Sequence, residues 1–288
     1  MFLKEWRNRP IPGDCLASLL YSWKHSETIS DPLSFQVPCM RIVAIASLLS
    51  ALAWPAASWA QQITVSAAAS LSDAFKELAP RFEAAKPGTT VRFNFAASGV
   101  LLQQIRQGAP VDVFASADQE TMDRADAQKR IDAASRRNFV TNSLVLIEPA
   151  QGGTGITGLA DLNRPAVRKI AVGKTATVPV GRYTKEVLDA ISLWKVLEPK
   201  FVQADSARQV LDYVSRGEVE AGFVYRTDAT VAGNKVKVVA SPQGATPVSY
   251  PIAVVADSPH KAAAADFIAF VRSEPGQQVL ARHGFGKP

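Results

Sequence analysis

The sequence is poor in the side chains that hold metal ions or form covalent crosslinks. It has two cysteines in 288 residues, Cys15 and Cys39, and both lie in residues 1–39, which show no helical or strand period. We therefore expect the folded part to have neither disulfides nor a thiolate metal site. Beyond residue 60 the histidines are His260 and His283, which lack the spacing of a helical metal site. The Gly-x-Ser-x-Gly elbow of serine hydrolases is also missing.

Long apolar runs are missing as well. The run at residues 42–53 is too short to span a bilayer. It follows Met40-Arg41 and is broken by Trp54-Pro55, with small residues at positions 58 and 60. This pattern predicts a secretory signal peptide at residues 40–60 that is cleaved after Ala60, and hence export. Residues 1–39 form an upstream extension of unknown status, and Cys39 precedes the apolar run, which excludes a lipid-attachment cysteine.

The charge is mildly basic and dispersed. Lysine and arginine number 32 against 26 acidic residues, a formal net charge of +6 at pH 7. The basic residues form no block and are not interleaved with aromatic residues, so we expect no binding to nucleic acid. A positive field favours the capture of an anion, although the need for solubility would also explain the positive net charge.

Strand and helix patterns alternate from residue 63 onward. Residues 63–67 read as a buried strand, and Leu71, Phe75, Leu78 and Phe82 then recur on one face of a helix. The same alternation continues to the end of the chain. It predicts an α/β protein with mainly parallel sheets flanked by helices. In such sheets, ligands bind beyond the carboxyl ends of the strands.

Serines occupy two of the turns between a strand and a helix. Ser70 follows the first strand, where it could cap the next helix and form a capping box with Asp73. Ser98 repeats this position after the strand at residues 90–96. Small residues beside each serine allow close approach, so each turn is also a candidate anion site. For one such turn alone, the capping role is the simpler interpretation.

Two further turns and a strand end extend this set. Val180 and Ala207 lie where helices begin and offer backbone N–H groups, and Tyr225 ends a buried strand with a phenol. All these groups are neutral donors. Neutral donors at converging helix N-termini suit a compact oxyanion. Because the site offers no acceptor for a proton on the anion, it favours an oxyanion that carries none. Each hydrogen bond to a charged group contributes roughly 1.5–3 kcal/mol.

Five motifs, in the same order along the chain, resemble those of the periplasmic molybdate-binding proteins of ABC importers. They are Ala67-Ala68-Ala69-Ser70-Leu71, Phe95-Ala96-Ala97-Ser98, Gly108-Ala109-Pro110-Val111-Asp112-Val113-Phe114-Ala115-Ser116-Ala117-Asp118, Val178-Pro179-Val180-Gly181-Arg182-Tyr183 and Gly222-Phe223-Val224-Tyr225-Arg226-Thr227-Asp228-Ala229. The resemblance extends from Ile63 to Gly286. It implies a type II periplasmic binding-protein fold, in which two α/β lobes enclose the ligand in a cleft.

The resemblance also implies where the lobes meet. We place the two crossing segments near Asn142-Ser143 and Tyr250-Pro251. Lobe one then comprises residues 61–142 plus 251–288, and lobe two comprises residues 143–250.

The resemblance assigns the five candidate residues to one anion. Ser70 and Ser98 would bind it through hydroxyl and N–H groups, Val180 and Ala207 through N–H groups, and Tyr225 through its phenol. Molybdenum would be held as molybdate, without a direct protein–metal ligand and without any other cofactor. Two residues depart from the family pattern: Gly99 stands where we expect a serine, and Ala207 where a β-branched residue is common. Because both positions act through the backbone, we expect little change in chemistry.

The predicted function is that of an exported, periplasmic, monomeric binding protein rather than an enzyme. It would capture molybdate, and also tungstate, and deliver it to a membrane permease with a cytoplasmic ATPase. One alternative is a binding protein for sulfate, another small oxyanion or an organic carboxylate. The other is a secreted hydrolase with Ser70 or Ser98 as nucleophile, for which the sequence supplies no nearby base.

Overall fold

Ten strands in two sheets frame residues 61–288, the part of the chain that the computed structural model describes. In chain order, the strands are β1 (Gln61–Ala68), β2 (Thr89–Ala96), β3 (Val113–Ala115), β4 (Arg137–Thr141), β5 (Leu144–Pro149), β6 (Ile170–Gly173), β7 (Phe201–Ala204), β8 (Ala221–Tyr225), β9 (Val236–Ala240) and β10 (Ser249–Val254). The predicted signal peptide and the upstream extension lie outside the described residues.

Each sheet has five strands, and four of them run in the same direction. The first sheet has the order β2-β1-β3-β10-β4, and the second has the order β7-β6-β8-β5-β9. Strand β10 is antiparallel to both of its neighbours, as is β5, whereas the pairs β1–β2, β1–β3, β6–β7 and β6–β8 are parallel. The predicted α/β fold with mainly parallel sheets is confirmed, with one reversed strand in each sheet.

The reversed strands follow the two passages of the chain between the sheets. The first passage, residues 142–143, joins β4 to β5, and the second, residues 241–248, joins β9 to β10. The lobe boundaries predicted from the sequence stay a prediction. The first boundary, between Asn142 and Ser143, coincides with the passage from β4 to β5. The second boundary, between Tyr250 and Pro251, lies within β10, which begins at Ser249.

Helices cover the sheets. They are α1 (Ser72–Ala85), α2 (Ser98–Arg106), α3 (Gln119–Ala127), α4 (Pro179–Ala190), α5 (Trp194–Leu197), α6 (Ala207–Ser215), α7 (Arg226–Ala232), α8 (Lys261–Arg272) and α9 (Glu274–Arg282). The apolar face predicted for α1 is buried in the core, because Phe75, Leu78 and Phe82 are all fully inaccessible. The ring of Phe267 on α8 packs edge-on against Phe75 and Phe82, with centroid distances of 5.9 and 5.3 Å.

Within residues 61–288, none of the helices combines the length and the apolar character that a membrane crossing needs.

Candidate functional site

The five residues predicted to bind the anion line one small cavity of about 10 Å³. All five are buried, with at most 6% of each residue exposed. The cavity is lined by Ala68, Ala69, Ser70, Ala97, Ser98, Ala117, Val178, Pro179, Val180, Ala207 and Tyr225. Residues that are up to 157 positions apart in the sequence are therefore brought together at one point.

The ends of strands and the beginnings of helices build this cavity. Ser70 lies in a 3-10 turn, Ala69–Leu71, between β1 and α1, and Ser98 is the first residue of α2. Val180 and Ala207 lie in the first turns of α4 and α6. Within the described part of the chain, none of these four N–H groups donates a backbone hydrogen bond to another element. First-turn N–H groups have no partner inside their helix, so they remain available to a ligand.

Ser70 does not cap α1, and the predicted capping box with Asp73 is wrong. The 3-10 turn moves the start of α1 to Ser72, so Leu71 occupies the N-cap position and no side chain caps it. The Ser70 hydroxyl oxygen lies 3.0 Å from the phenol oxygen of Tyr250 instead. At α6, by contrast, a serine does cap the helix, because the Ser206 hydroxyl accepts a hydrogen bond from the N–H of Gln209 at 3.1 Å.

The Ser98 hydroxyl is held as a hydrogen-bond donor. Its oxygen accepts the N–H of Ala117 at 3.0 Å, which leaves its proton free to be donated towards the cavity. Tyr225 donates a long hydrogen bond of 3.4 Å to the carbonyl oxygen of Ala117. Burial raises the pKa of Tyr225 well above 10, so this phenol keeps its proton at neutral pH. The Ser98 hydroxyl can therefore donate to an anion directly, and the Tyr225 phenol can donate by exchanging its long bond to Ala117 for one to the anion.

Gly99 lies where the two sides of the cavity meet. Its N–H donates to the carbonyl oxygen of Thr177 at 3.0 Å, and a Cβ at this position would lie 2.7 Å from the same oxygen. Gly99 thus joins the two segments through its backbone, and the missing side chain permits their close approach. That this position acts on a ligand through its backbone stays a prediction.

Arginine–carboxylate pairs cross the cleft on two sides of the cavity. Arg182 on α4 bonds Asp118 from Nε at 2.9 Å and from a terminal nitrogen at 2.5 Å. Arg208 on α6 bonds Asp73 on α1 at 2.5 Å. Each pair joins an element beside the first sheet to one beside the second, so the cleft is closed. Neither pair was predicted from the sequence, although each of the four residues lies within three positions of a cavity-lining residue.

The second contact of Arg208 reaches Asp228, whose carboxylate is fully buried. Arg208 Nε lies 2.8 Å from Asp228 Oδ1, and the N–H of Tyr225 donates to Oδ2 at 3.3 Å. Burial raises the pKa of Asp228 to about 6, and the Arg208 charge partly offsets this rise. The carboxylates nearest to the cavity are thus paired with arginine, and the cavity surface itself offers neutral donors.

Neither histidine of the described residues lies at the cavity. His260 Nδ1 is 3.2 Å from Asp112, and His283 Nε2 is 2.8 Å from Glu77. The cavity lining contains no histidine, lysine or carboxylate that could deprotonate Ser70 or Ser98. Among residues 61–288 there is also no group of three or more histidine, cysteine or carboxylate side chains arranged to hold a metal ion.

Comparison with known proteins identifies the family. The profile of the bacterial extracellular solute-binding proteins matches residues 63–286. The molybdate-binding protein ModA of Escherichia coli (strain K12) is 37% identical over 257 residues, which cover 85% of this chain and 97% of ModA. A putative ABC transporter substrate-binding lipoprotein of Bacillus subtilis (strain 168), YvgL, is 36% identical over 225 residues, 77% of this chain and 85% of the relative.

A solved structure agrees with these relatives. The substrate-binding domain of a putative molybdenum ABC transporter from Clostridium difficile superimposes with a TM-score of 0.61 at 37% identity. The superposition covers 79% of this chain and 99% of that domain. The resemblance inferred from the five motifs and the two-lobed α/β fold that it implied are both confirmed.

Proposed function

The chain belongs to the bacterial extracellular solute-binding proteins, and we propose that within this family it captures molybdate, and also tungstate, for an ABC importer. One observation carries the proposal: an enclosed cavity that receives neutral hydrogen-bond donors from both sides of the cleft and no charged side chain. Tungstate is included because it is a tetrahedral dianion of the same shape and charge.

The donors are sufficient for a compact dianion. The hydroxyl and N–H groups of Ser70 and Ser98, the N–H groups of Val180 and Ala207, and the Tyr225 phenol amount to seven. Each hydrogen bond to a charged group contributes roughly 1.5–3 kcal/mol, from which the cost of ordering the ligand and closing the cleft is subtracted. An oxyanion that carries a proton would place this proton against a donor, so fully deprotonated oxyanions are favoured.

Binding and hinge closure form a single process in this proposal. The binding residues are buried in the closed structure, so the anion enters only when the lobes separate. Neither lobe alone supplies all seven donors, and the bound anion therefore favours the closed form. The closed complex is the form that a membrane permease with its cytoplasmic ATPase would receive, and a monomer would suffice.

A binding role without catalysis is the simplest account of the two serines. Their hydroxyls are donors beside a cavity without a general base, so the hydrolase alternative lacks its second component. We further propose that residues 40–60 direct export and are removed after Ala60, which would place the protein in the periplasm.

A thermal-shift series on the purified chain with molybdate, tungstate, sulfate and phosphate tests the proposal. A ligand at 100 times its dissociation constant raises the free energy of unfolding by about 2.7 kcal/mol. We expect stabilisation by molybdate and tungstate, and a clearly smaller stabilisation of a Ser98→Ala variant at the same concentrations. Stabilisation by sulfate or phosphate instead would show that the ligand is an oxyanion other than molybdate. No shift of the melting temperature with any anion would refute an oxyanion site.

A further inference from the structure

Two side chains, one in the first passage between the sheets and one just after the second, extend the hydrogen-bond network of the site. Tyr250 lies at the start of β10 and is fully buried, and its phenol oxygen is 3.0 Å from the Ser70 hydroxyl oxygen. Asn142 follows β4, and its amide nitrogen is 3.3 Å from the same phenol oxygen. Neither residue lines the cavity. They can affect a ligand through Ser70, through the ring of Tyr225 against which Tyr250 packs, or through the position of the lobes.

The contacts of Asn142 set its orientation. Its side-chain oxygen accepts the N–H of Ser143 at 2.9 Å, and its amide nitrogen also donates to the Thr227 hydroxyl at 3.0 Å. An amide nitrogen can only donate, so the Tyr250 oxygen is the acceptor in its bond with Asn142.

The direction of the next bond follows from this. Tyr250 still has its own phenol proton, and within residues 61–288 its hydrogen-bond partners are Asn142 and Ser70. Asn142 offers Tyr250 only a donor, so of these two partners Ser70 alone can accept the buried phenol proton, and the proton goes to the Ser70 oxygen. Burial raises the pKa of Tyr250 well above 10, so the phenol stays protonated. Ser70 thus accepts from Tyr250, and its own proton is left for the cavity.

We propose that Tyr250 is a positioning residue for the ligand, because it fixes the Ser70 hydroxyl as a donor to the bound anion. This inference rests on the proposed function as an oxyanion-binding protein. Without the phenol, the Ser70 hydroxyl rotates freely and spends part of its time with a lone pair towards the anion. Ser98 needs no such partner, because the N–H of Ala117 holds it in the same way.

The ring of Tyr250 has a separate, structural role. It packs edge-on against Tyr225 and Phe285 at centroid distances of 5.6 Å and against Phe139 at 6.5 Å. Phenylalanine keeps these contacts and removes only the hydroxyl. Tyr250→Phe therefore tests the hydrogen bond rather than the packing.

Calorimetric titration with molybdate of the unmodified chain, Ser70→Ala, Tyr250→Phe and the double variant tests the proposal. We expect Tyr250→Phe to weaken binding about tenfold, the value of one hydrogen bond. In the Ser70→Ala background, Tyr250→Phe causes no further loss, because its target is gone. The matched control is Tyr213→Phe, which removes a phenol that bonds Gln209 at 2.9 Å outside the cavity lining and leaves affinity unchanged.

Two outcomes would overturn the role of Tyr250. One is that Tyr250→Phe binds molybdate with unaltered affinity. The other is that Tyr250→Phe causes the same loss of affinity in the unmodified chain and in Ser70→Ala, which indicates an effect that does not pass through the Ser70 hydroxyl. Both differ from failure of the proposed function, in which the unmodified chain itself does not bind molybdate.

Discussion

The ion pair between Arg182 and Asp118 gives the sharpest prediction about closure. The two side chains are 15% and 5% exposed, and they belong to opposite sides of the cleft. A terminal nitrogen of Arg182 also bonds the Thr121 hydroxyl at 2.7 Å, and its Nε lies 3.2 Å from Glu120. All of these contacts across the cleft exist only when the lobes are closed, since separation returns the groups to water.

Arg182→Gln removes the charge and leaves the Asp118 carboxylate buried without a cation in the closed form. Removing one partner of a buried pair costs about 3 kcal/mol or more. The open form bears none of this cost, so the cost appears as weaker ligand binding. A loss of 3 kcal/mol corresponds to about a 100-fold weaker affinity. Two carboxylates, those of Asp118 and Glu120, also lose a neutralising charge near the anion.

The assay combines calorimetric titration with molybdate and small-angle X-ray scattering with and without the ligand. We expect the affinity to fall about 100-fold, the melting temperature without ligand to change little, and the scattering to show a more open average form. Asp118→Asn in the Arg182→Gln background should recover part of the loss, because asparagine keeps the N-cap bond to Thr121 without the charge.

Lys185→Gln is the matched control for this prediction. Lys185 lies on the same helix and pairs with Asp189 on the solvent-exposed surface of that helix, so the loss of its charge does not affect the cleft. Unchanged molybdate affinity of Arg182→Gln would refute the role of the pair in closure. A large fall in melting temperature without ligand would refute it as well, because the arginine would then stabilise one lobe rather than the closed form.

Three further predictions concern the residues around the cavity. Tyr225→Phe should weaken molybdate binding 10–100-fold in calorimetry, since it removes one donor at roughly 1.5–3 kcal/mol, while the circular dichroism spectrum stays unchanged. Gly99→Ala should weaken binding, because the new Cβ meets the Thr177 carbonyl oxygen and prevents full closure. Small-angle scattering should then show a more open ligand-bound form, and a fully closed form would contradict this prediction. Asp228→Asn should flatten the pH dependence of unfolding by denaturant. The raised pKa of Asp228 means that the native state binds a proton which the unfolded state has already lost, so this group lowers stability as pH rises from about 4 to about 6.

The fold and the residues that line the cavity could be predicted because their signals are local. Periodicity over a dozen residues identified the buried face of α1, and small residues next to Ser70 and Ser98 identified the turns of the cavity. The convergence of these turns followed from the general rule for the carboxyl ends of parallel strands and from the family resemblance.

The partners of the binding residues could not be predicted from local pattern. Ser70 bonds Tyr250, which is 180 positions away, and Arg208 bonds Asp73, which is 135 positions away. The capping-box prediction was wrong for a related reason. A serine followed by an acidic residue three positions on is typical of a cap, but the same residues can form long-range bonds when the helix begins one residue later than predicted.

The separation of charge from the cavity explains why these long-range partners matter. An arginine aimed at the anion would attract oxyanions largely regardless of their protonation, because its charge dominates the interaction. Here Arg182 and Arg208 lie beside the cavity, yet carboxylates across the cleft hold them. The arginines therefore act on closure, while recognition depends on neutral donors whose direction is fixed by Tyr250 and by the N–H of Ala117. Affinity and selectivity thus depend on different residues. Arg182→Gln should weaken the binding of every oxyanion by a similar factor, whereas Tyr250→Phe should weaken the binding of fully deprotonated oxyanions most.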